Sequence, residues 1–251
     1  MKSAYIAAVM GIGLSFTFIA SAVEAANLVT NGGFESTTNG AGELGGGGQT
    51  TTTTATDWTS NGYNFLFTPG SADTTGAPQS STFSLTLWGP NNGSANGLPA
   101  TSPGGGNFVA MDGNYSVGAL TQTINGLVAG TTYALTFDWG LAQQQYYTDP
   151  NSGHLQVSLG SQTGSTPSVS IGSEGFSGWL PAVLTFTATS SSELLSFLAA
   201  SPAGAPPFLL LDDVALNATV SEPASIALLG AAVLGLGLVS RRRRPRHSAT
   251  V

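Results

Sequence analysis

The chain has 251 residues, and all six of its Lys and Arg residues lie near its ends, at position 2 and within 241–246. Two of the thirteen acidic residues, at positions 24 and 222, lie outside the stretch 27–220, which leaves eleven carboxylates and no Lys or Arg within that stretch. Such a surface does not neutralise phosphates, which excludes nucleic-acid binding. The chain has no Cys and this stretch has one His, His154, so thiolate nucleophiles and most acid/base triads are absent and an enzyme is not expected.

Residues 1–25 have the pattern of a secretory signal peptide. Lys2 precedes an apolar run over 4–20, and the following segment 21–25 ends in Val-Glu-Ala, with small residues at 22 and 25. We predict cleavage after Ala25, with Ala22 as the second choice; an uncleaved membrane anchor is the alternative. Export through the Sec translocon would place the domain 26–220 outside the cytoplasm.

The C-terminal region ends in an apolar segment followed by a basic cluster. The run over 224–240 predicts a transmembrane helix, and the Arg-rich tail 241–246 would stay on the cytoplasmic side of the membrane. A basic nucleic-acid or localisation tail is the competing interpretation of the Arg run.

The segment 221–246 resembles the PEP-CTERM sorting signal of exopolysaccharide-producing Gram-negative bacteria. The resemblance rests on Glu222-Pro223, the short Gly- and Leu-rich span and the cluster Arg241, Arg242, Arg243 and Arg244. The usual tripeptide of that family is Pro-Glu-Pro, and Ser221 occupies its first position here. The resemblance implies that an exosortase recognises Glu222 and Pro223 and removes the span and tail. The mature protein would then reside at the cell surface or in the extracellular matrix.

The stretch 26–220 is predicted to be one all-β domain, an antiparallel β-sandwich. It has no sustained 3.6-residue apolar period, and short segments rich in β-branched and aromatic residues recur between Gly, Asn, Pro and Ser clusters. The segment 37–56, rich in Gly and Thr, is predicted to be a flexible surface loop. The predicted strands are 27–31, 63–67, 83–88, 108–112, 119–124, 132–141, 154–159, 182–189, 194–199 and 207–216.

Both ends of this domain are similar to the opening and closing strands of galactose-binding-like jelly rolls, which include several carbohydrate-binding modules. The similar segments are 27–35 and 209–216. The resemblance implies a structural calcium held by Glu35 of the first segment and Asp212 of the last.

Residue chemistry is consistent with such an ion. If Val214 and Leu216 face the core, a period of two turns Asp212 inward with them. A buried Asp without a basic partner must be protonated, hydrogen-bonded to backbone N–H groups or bound to a cation. Calcium prefers such oxygen ligands. The alternative is that Glu35 and Asp212 accept hydrogen bonds from turn amides.

The loop 143–151 is the best candidate for glycan contact. Tyr146, Tyr147 and Gln145 combine aromatic rings with a planar amide, which suits the C–H faces and hydroxyl rims of sugars. Trp88 with the neighbouring Asn91 and Asn92 is a second candidate. A purely structural turn is the alternative in each case.

These patterns predict a non-catalytic exported protein, and the resemblance to PEP-CTERM signals implies that it associates with exopolysaccharide in a biofilm. One alternative is a passive structural matrix protein that binds no specific glycan. Another is a glycosidase that depends on carboxylates alone. Its acidic residues would come from Asp138, Asp149, Glu174 and Glu193.

Overall fold

A computed structural model of the chain describes residues 26–45, 52–202 and 206–219. The predicted signal peptide 1–25 and sorting signal 221–246, with its helix 224–240, lie outside the described residues. Within the described part every regular element is a strand, and no helix is long and apolar enough to cross a membrane. The strands are β1 Gly42–Leu44, β2 Thr52–Thr53, β3 Thr59–Ser60, β4 Asn64–Phe67, β5 Ala77–Pro78, β6 Ser84–Leu85, β7 Phe108–Asp112, β8 Leu120–Asn125, β9 Thr132–Gln143, β10 Asn151–Leu159, β11 Gln162–Ser165, β12 Val169–Ile171, β13 Leu180–Thr187, β14 Ser192–Ala200 and β15 Pro207–Ala218.

Two sheets form a β-sandwich, which confirms the predicted fold class. The seven-stranded sheet has the order β13-β9-β15-β7-β4-β1-β2. The six-stranded sheet has the order β11-β10-β14-β8-β3, with β12 also pairing with β10. Among the strands described, β1 and β2 pair in parallel, whereas every other pair is antiparallel.

The main core lies between these two sheets and follows from alternation along the strands. On β9, the side chains of Tyr133, Leu135, Phe137 and Trp139 are buried in this core, and the intervening residues are only partly buried. On β10, Leu155, Val157 and Leu159 do the same from the other sheet. A strand with one buried face needs this period of two, so these strands were predictable from the sequence.

A second core covers the outer face of the seven-stranded sheet. Phe65, Phe67, Phe108, Phe208 and Leu210 pack there under the connections between β4 and β7 and before β13. Both faces of β4, β7 and the first half of β15 are therefore buried, and these strands carry unbroken apolar runs over 65–67, 108–111 and 207–211 instead of alternating.

Several segments differ from the predicted strands and loops. Residues 27–31 join the last strand through one backbone bond, Leu28 N–H to Leu216 O at 2.9 Å, and then turn. The segment 37–56 contains β1 and β2 and is therefore partly strand; residues 46–51 of it lie outside the described residues. The strands β3, β5, β11 and β12 were missed because each is only two to four residues long.

Candidate functional site

A β-bulge in the last strand positions Asp212. The pairing of β15 with β9 shifts register between Asp212 and Ala215, and Asp213 takes a left-handed φ of 52° there. Asp212 pairs with Asp138 and shares the outer face with Leu210. Asp212 is 1% exposed, so the expected burial is right.

The predicted reason for that burial is wrong. Val214 and Leu216 face the main core between the sheets, whereas Asp212 lies on the opposite face. The bulge inserts one extra residue and thereby breaks the period of two.

The Asp212 carboxylate is only partly hydrogen-bonded. Its Oδ2 accepts a hydrogen bond from the Ser102 hydroxyl, whereas its buried Oδ1 has no hydrogen-bond partner. Burial raises the pKa of Asp212 to about 7; hydrogen bonds from the Ser102 hydroxyl and the Asp213 backbone oppose the rise, and the charges of Asp213 and Glu35 add to it. A buried carboxylate oxygen without a partner indicates that a cation or a proton belongs there.

Glu35, at the end of the opening segment 27–35, lies near the Asp212 carboxylate, because its charge contributes to the raised pKa of Asp212. Its Oε1 accepts the Asn107 N–H at 2.7 Å, and the Asn107 side-chain amide donates to the Phe34 carbonyl at 2.9 Å. A Cβ on Gly106 would lie 1.8 Å from Glu35 Oε1, so the carboxylate lies directly against glycine backbone. Glu35 itself is exposed, which leaves the mouth of the site open to solvent.

The residues present fit a calcium ion. Glu35, Asp212 and the Ser102 hydroxyl provide hard oxygen ligands, and Gly33 and Gly104 bring backbone close to the Asp212 carboxylate. No group of three or more His, Asp or Glu side chains suited to a metal occurs among the described residues. An ion held here would therefore complete its shell with backbone carbonyls and water, which calcium tolerates.

A separate cleft of about 340 Å³ lies at the Asp112 end of β7 and is rich in aromatic side chains. The opposite end of β7 follows Asn107, which contacts Glu35. Phe83, Tyr115 and Tyr147 line it and are 41%, 82% and 44% exposed. Its other lining residues are Tyr63, Gln79, Asp112, Gln144, Pro206 and Phe208.

Hydrogen bonds fix the walls of this aromatic cleft. The Tyr63 hydroxyl donates to Gln79 Oε1 at 3.1 Å. Asp112, which ends β7, accepts the backbone N–H groups of Asn114, Tyr115 and Ser116 at 2.9, 3.1 and 2.7 Å and so fixes the turn that carries the Tyr115 ring. Preformed walls lower the entropy cost of binding a ligand.

The 143–151 loop is fixed against a neighbouring segment. The Trp88 indole N–H donates to the Tyr147 carbonyl at 2.7 Å, and the Thr86 hydroxyl donates to Gln145 Oε1 at 2.6 Å. Of the predicted glycan contacts, Tyr147 lines the aromatic cleft. Tyr146 is 83% exposed with a φ of 75° and lies outside that lining, and Gln145 uses its amide oxygen to hold Thr86.

Four aromatic residues of the cleft were missed from the sequence: Tyr63, Phe83, Tyr115 and Phe208. An aromatic ring in a polar turn, as in Asp112-Gly113-Asn114-Tyr115-Ser116, is the available signal for one of them. The second candidate, Trp88 with Asn91 and Asn92, instead builds turns: Asn92 accepts the Gly89 N–H and Asn91 donates to Asp73.

The outer face of the six-stranded sheet carries a row of hydroxyl groups. Strand register aligns one side chain from each of five neighbouring strands, namely Thr59, Thr121, Ser196, Ser158 and Thr163. Two depressions of about 500 and 490 Å³ lie on this hydroxyl face. Their lining contains no Phe, Tyr or Trp, so neither provides a stacking platform.

The carboxylates considered for glycoside hydrolysis are dispersed. Asp138 is on β9 and Glu193 on β14 of the other sheet, and Asp149 and Glu174 are outside the strands. None of the four lines the aromatic cleft or the two depressions.

Two of these carboxylates have shifted pKa values with structural causes. Burial, then the charge of Asp213, raises the pKa of Asp138. Burial also raises the pKa of Glu193, but hydrogen bonds from Thr189 and Ser190 outweigh that effect and leave its pKa lowered. Glu193 therefore fixes the turn that connects β13 to β14, from one sheet to the other. Asp138 lies opposite Asp212 in the strand pair that carries the bulge.

No protein-family model and no curated protein matches the chain. Similar solved structures include TmCBM61 in complex with β-1,4-galactotriose, at TM-score 0.40 and 16% identity, covering 78% of this chain and 100% of that one. The CBM22-1 xylan-binding domain of Paenibacillus barcinonensis Xyn10C has TM-score 0.38 and 11% identity, covering 80% and 100%. Arabinose-bound MgGH51 α-L-arabinofuranosidase has TM-score 0.42 and 16% identity, covering 79% and 27%. Likeness at this distance assigns no activity, so function is argued from the site.

Proposed function

We propose that the protein is an exported, non-catalytic glycan-binding protein and that the aromatic cleft is its binding site. The cleft supports this because it combines three exposed rings with the amides of Gln79 and Gln144. Aromatic faces pack on the apolar C–H faces of sugar rings, and amides read the hydroxyls around the rim. Its volume of about 340 Å³ suits a short stretch of a glycan chain.

Calcium is proposed as a structural ion at the Glu35 and Asp212 carboxylates. An ion there would cross-link the first motif, the Gly-rich segment 102–107 and the last strand. Its charge would satisfy Asp212 Oδ1, which has no hydrogen-bond partner. Such an ion supplies stability and takes no part in a reaction.

Sorting by a PEP-CTERM signal is the proposed route to the surface. The pattern of Glu222, Pro223, apolar span and Arg cluster supports it, with the Sec translocon and an exosortase as partners. Before processing, the C-terminal helix would anchor the precursor in the inner membrane. The mature form would associate with extracellular polysaccharide in a biofilm.

Binding is tested with the exported protein purified from its host, on a glycan array and by retention on native matrix polysaccharide. Tyr147→Ala should weaken binding about tenfold or more, because it removes one wall of the cleft. Tyr146→Ala is the matched control: it changes the adjacent, more exposed ring outside the lining and should leave binding unchanged.

Two results would contradict the proposal. Absence of binding to any array glycan and to the matrix polysaccharide would favour the passive structural protein. New reducing ends after incubation with the polysaccharide would instead show the glycosidase.

A further inference from the structure

We propose that the aromatic cleft accepts uncharged glycans and rejects anionic ones, those bearing uronate, sulfate or phosphate groups. This inference rests on the proposed glycan-binding function and adds the ligand's charge class. It follows from which hydrogen-bond donors the cleft offers and from the charges around it.

Basic side chains are absent from the whole described part of the chain. Residues 26–45, 52–202 and 206–219 contain no Lys or Arg, and their one His, His154, lines a depression on the hydroxyl face and not the aromatic cleft. Sites for anionic groups usually pair them with Arg or Lys, which provide charge-assisted hydrogen bonds. No such donor can reach a ligand in this cleft from the described residues.

Backbone donors do not substitute for the missing cations. Helix N-termini, the usual backbone site for anions, do not occur among the described residues. The turn beside the cleft does gather three consecutive N–H groups, from Asn114, Tyr115 and Ser116, but Asp112 already accepts all three. An anionic ligand would have to displace a built-in carboxylate to use them.

The surrounding charge is negative. Asp112 lines the cleft and is 1% exposed, and Glu43 is buried nearby on β1. Burial raises the pKa of the Tyr63 hydroxyl to about 12, and the charges of Glu43 and Asp112 add to the rise. A ligand carboxylate would meet the same repulsion, whereas the hydroxyls of a neutral sugar would not.

Matched oligosaccharides test this inference on the exported protein in the presence of a chelator, at a pH where circular dichroism shows that the domain stays folded without calcium. Neutral gluco- and galacto-oligosaccharides are compared by calorimetry with oligoglucuronate and oligogalacturonate of the same length. For each neutral oligosaccharide that binds, we expect the uronate oligomer of the same length to bind at least tenfold more weakly in low salt. Salt should narrow that difference, because it screens the repulsion.

A variant that adds a positive charge to the cleft tests whether uronate binding can be gained. Gln144 lines the cleft, and Gln144→Lys should raise the affinity for the uronate oligomers severalfold. Gln144→Met, of similar length and uncharged, should not. The unaltered protein could instead bind uronate oligomers as tightly as neutral ones and lose both in Tyr147→Ala. That result would overturn the charge selection but leave the glycan function intact. Absence of binding by every oligosaccharide would instead overturn the glycan function itself.

Discussion

The Ser102 hydroxyl donates a hydrogen bond to the buried Asp212 carboxylate across 110 positions of sequence. Glu35, from a third segment, lies close enough for its charge to raise the pKa of Asp212. The carboxylate therefore lies where the start, the middle and the end of the domain meet. We therefore expect the stability of the domain to depend on whether an ion, a proton or neither neutralises the Asp212 carboxylate.

Calcium should stabilise the protein through this carboxylate. At a concentration 100 times the dissociation constant, an ion that binds only the folded state adds about 2.7 kcal/mol. For a domain of this size that corresponds to an increase of roughly 5–10 °C in Tm. Asp212→Asn and Glu35→Gln should each remove most of the increase in calorimetric scans with and without chelator. Asp149→Asn, in an exposed loop, is the control, and an unchanged Tm of the unaltered protein would exclude the ion.

Without calcium, stability should fall as pH rises from about 4 to 7. The folded Asp212 has a pKa raised to about 7 by burial, whereas an unfolded Asp titrates near about 3.9. Between these values the folded protein keeps a proton that the unfolded chain has lost, so raising the pH favours unfolding by up to about 4 kcal/mol. Urea unfolding in chelator at several pH values measures this slope. Asp212→Asn should flatten it, and an equal slope in that variant would assign the effect to other groups.

Gly32 is required where the first motif meets the last strand. A Cβ at Gly32 would lie 1.9 Å from the Val214 carbonyl oxygen, and Val214 N–H donates to Gly32 O at 3.0 Å. Gly32→Ala must push two backbones apart and should cost at least about 2 kcal/mol in urea unfolding.

Gly172→Ala is the matched control for that substitution. Gly172 is exposed, and a Cβ there would meet nothing within 4 Å. This variant should be neutral or slightly more stable, because alanine restricts the unfolded chain. Equal stability of the Gly32 and Gly172 variants would refute the close approach.

The sequence predicted the buried side chains correctly where the burial pattern follows from alternation within a single strand. The alternation on β9 and β10 predicted their buried faces correctly, since each has one face in the main core. The same period failed at Asp212, because a bulge depends on pairing with β9 and leaves no local signature. The aromatic cleft was only partly predictable for a related reason. Tyr63, Tyr115 and Tyr147 come together through tertiary folding of separate segments, and the sequence indicated only the loop that carries Tyr147.

Processing at the C-terminus should depend on the Glu-Pro pair. If an exosortase cleaves near Glu222 and Pro223, mass spectrometry of protein recovered from the cell surface should find neither the apolar span nor the Arg cluster. Glu222→Ala should accumulate as a membrane-bound precursor that keeps all four arginines from 241 to 244. Ser221→Ala is the control, because Ser221 departs from the motif of the sorting signals that this segment resembles. Surface protein that retains the complete Arg cluster would contradict this route.

The aromatic cleft and the hydroxyl face make opposite predictions about which substitutions weaken glycan binding. Tyr115 is 82% exposed, so Tyr115→Ala should leave folding nearly unchanged and weaken binding about tenfold or more, in line with the loss of a ring contact. Thr121 and Ser158 lie in the hydroxyl row, and Thr121→Val with Ser158→Ala removes two central hydroxyls. That double variant should bind oligosaccharides with unchanged affinity by calorimetry. If the double variant lost binding and Tyr115→Ala kept it, the glycan site would belong on the hydroxyl face, because the ligand would then be held by hydroxyl contacts instead of ring stacking.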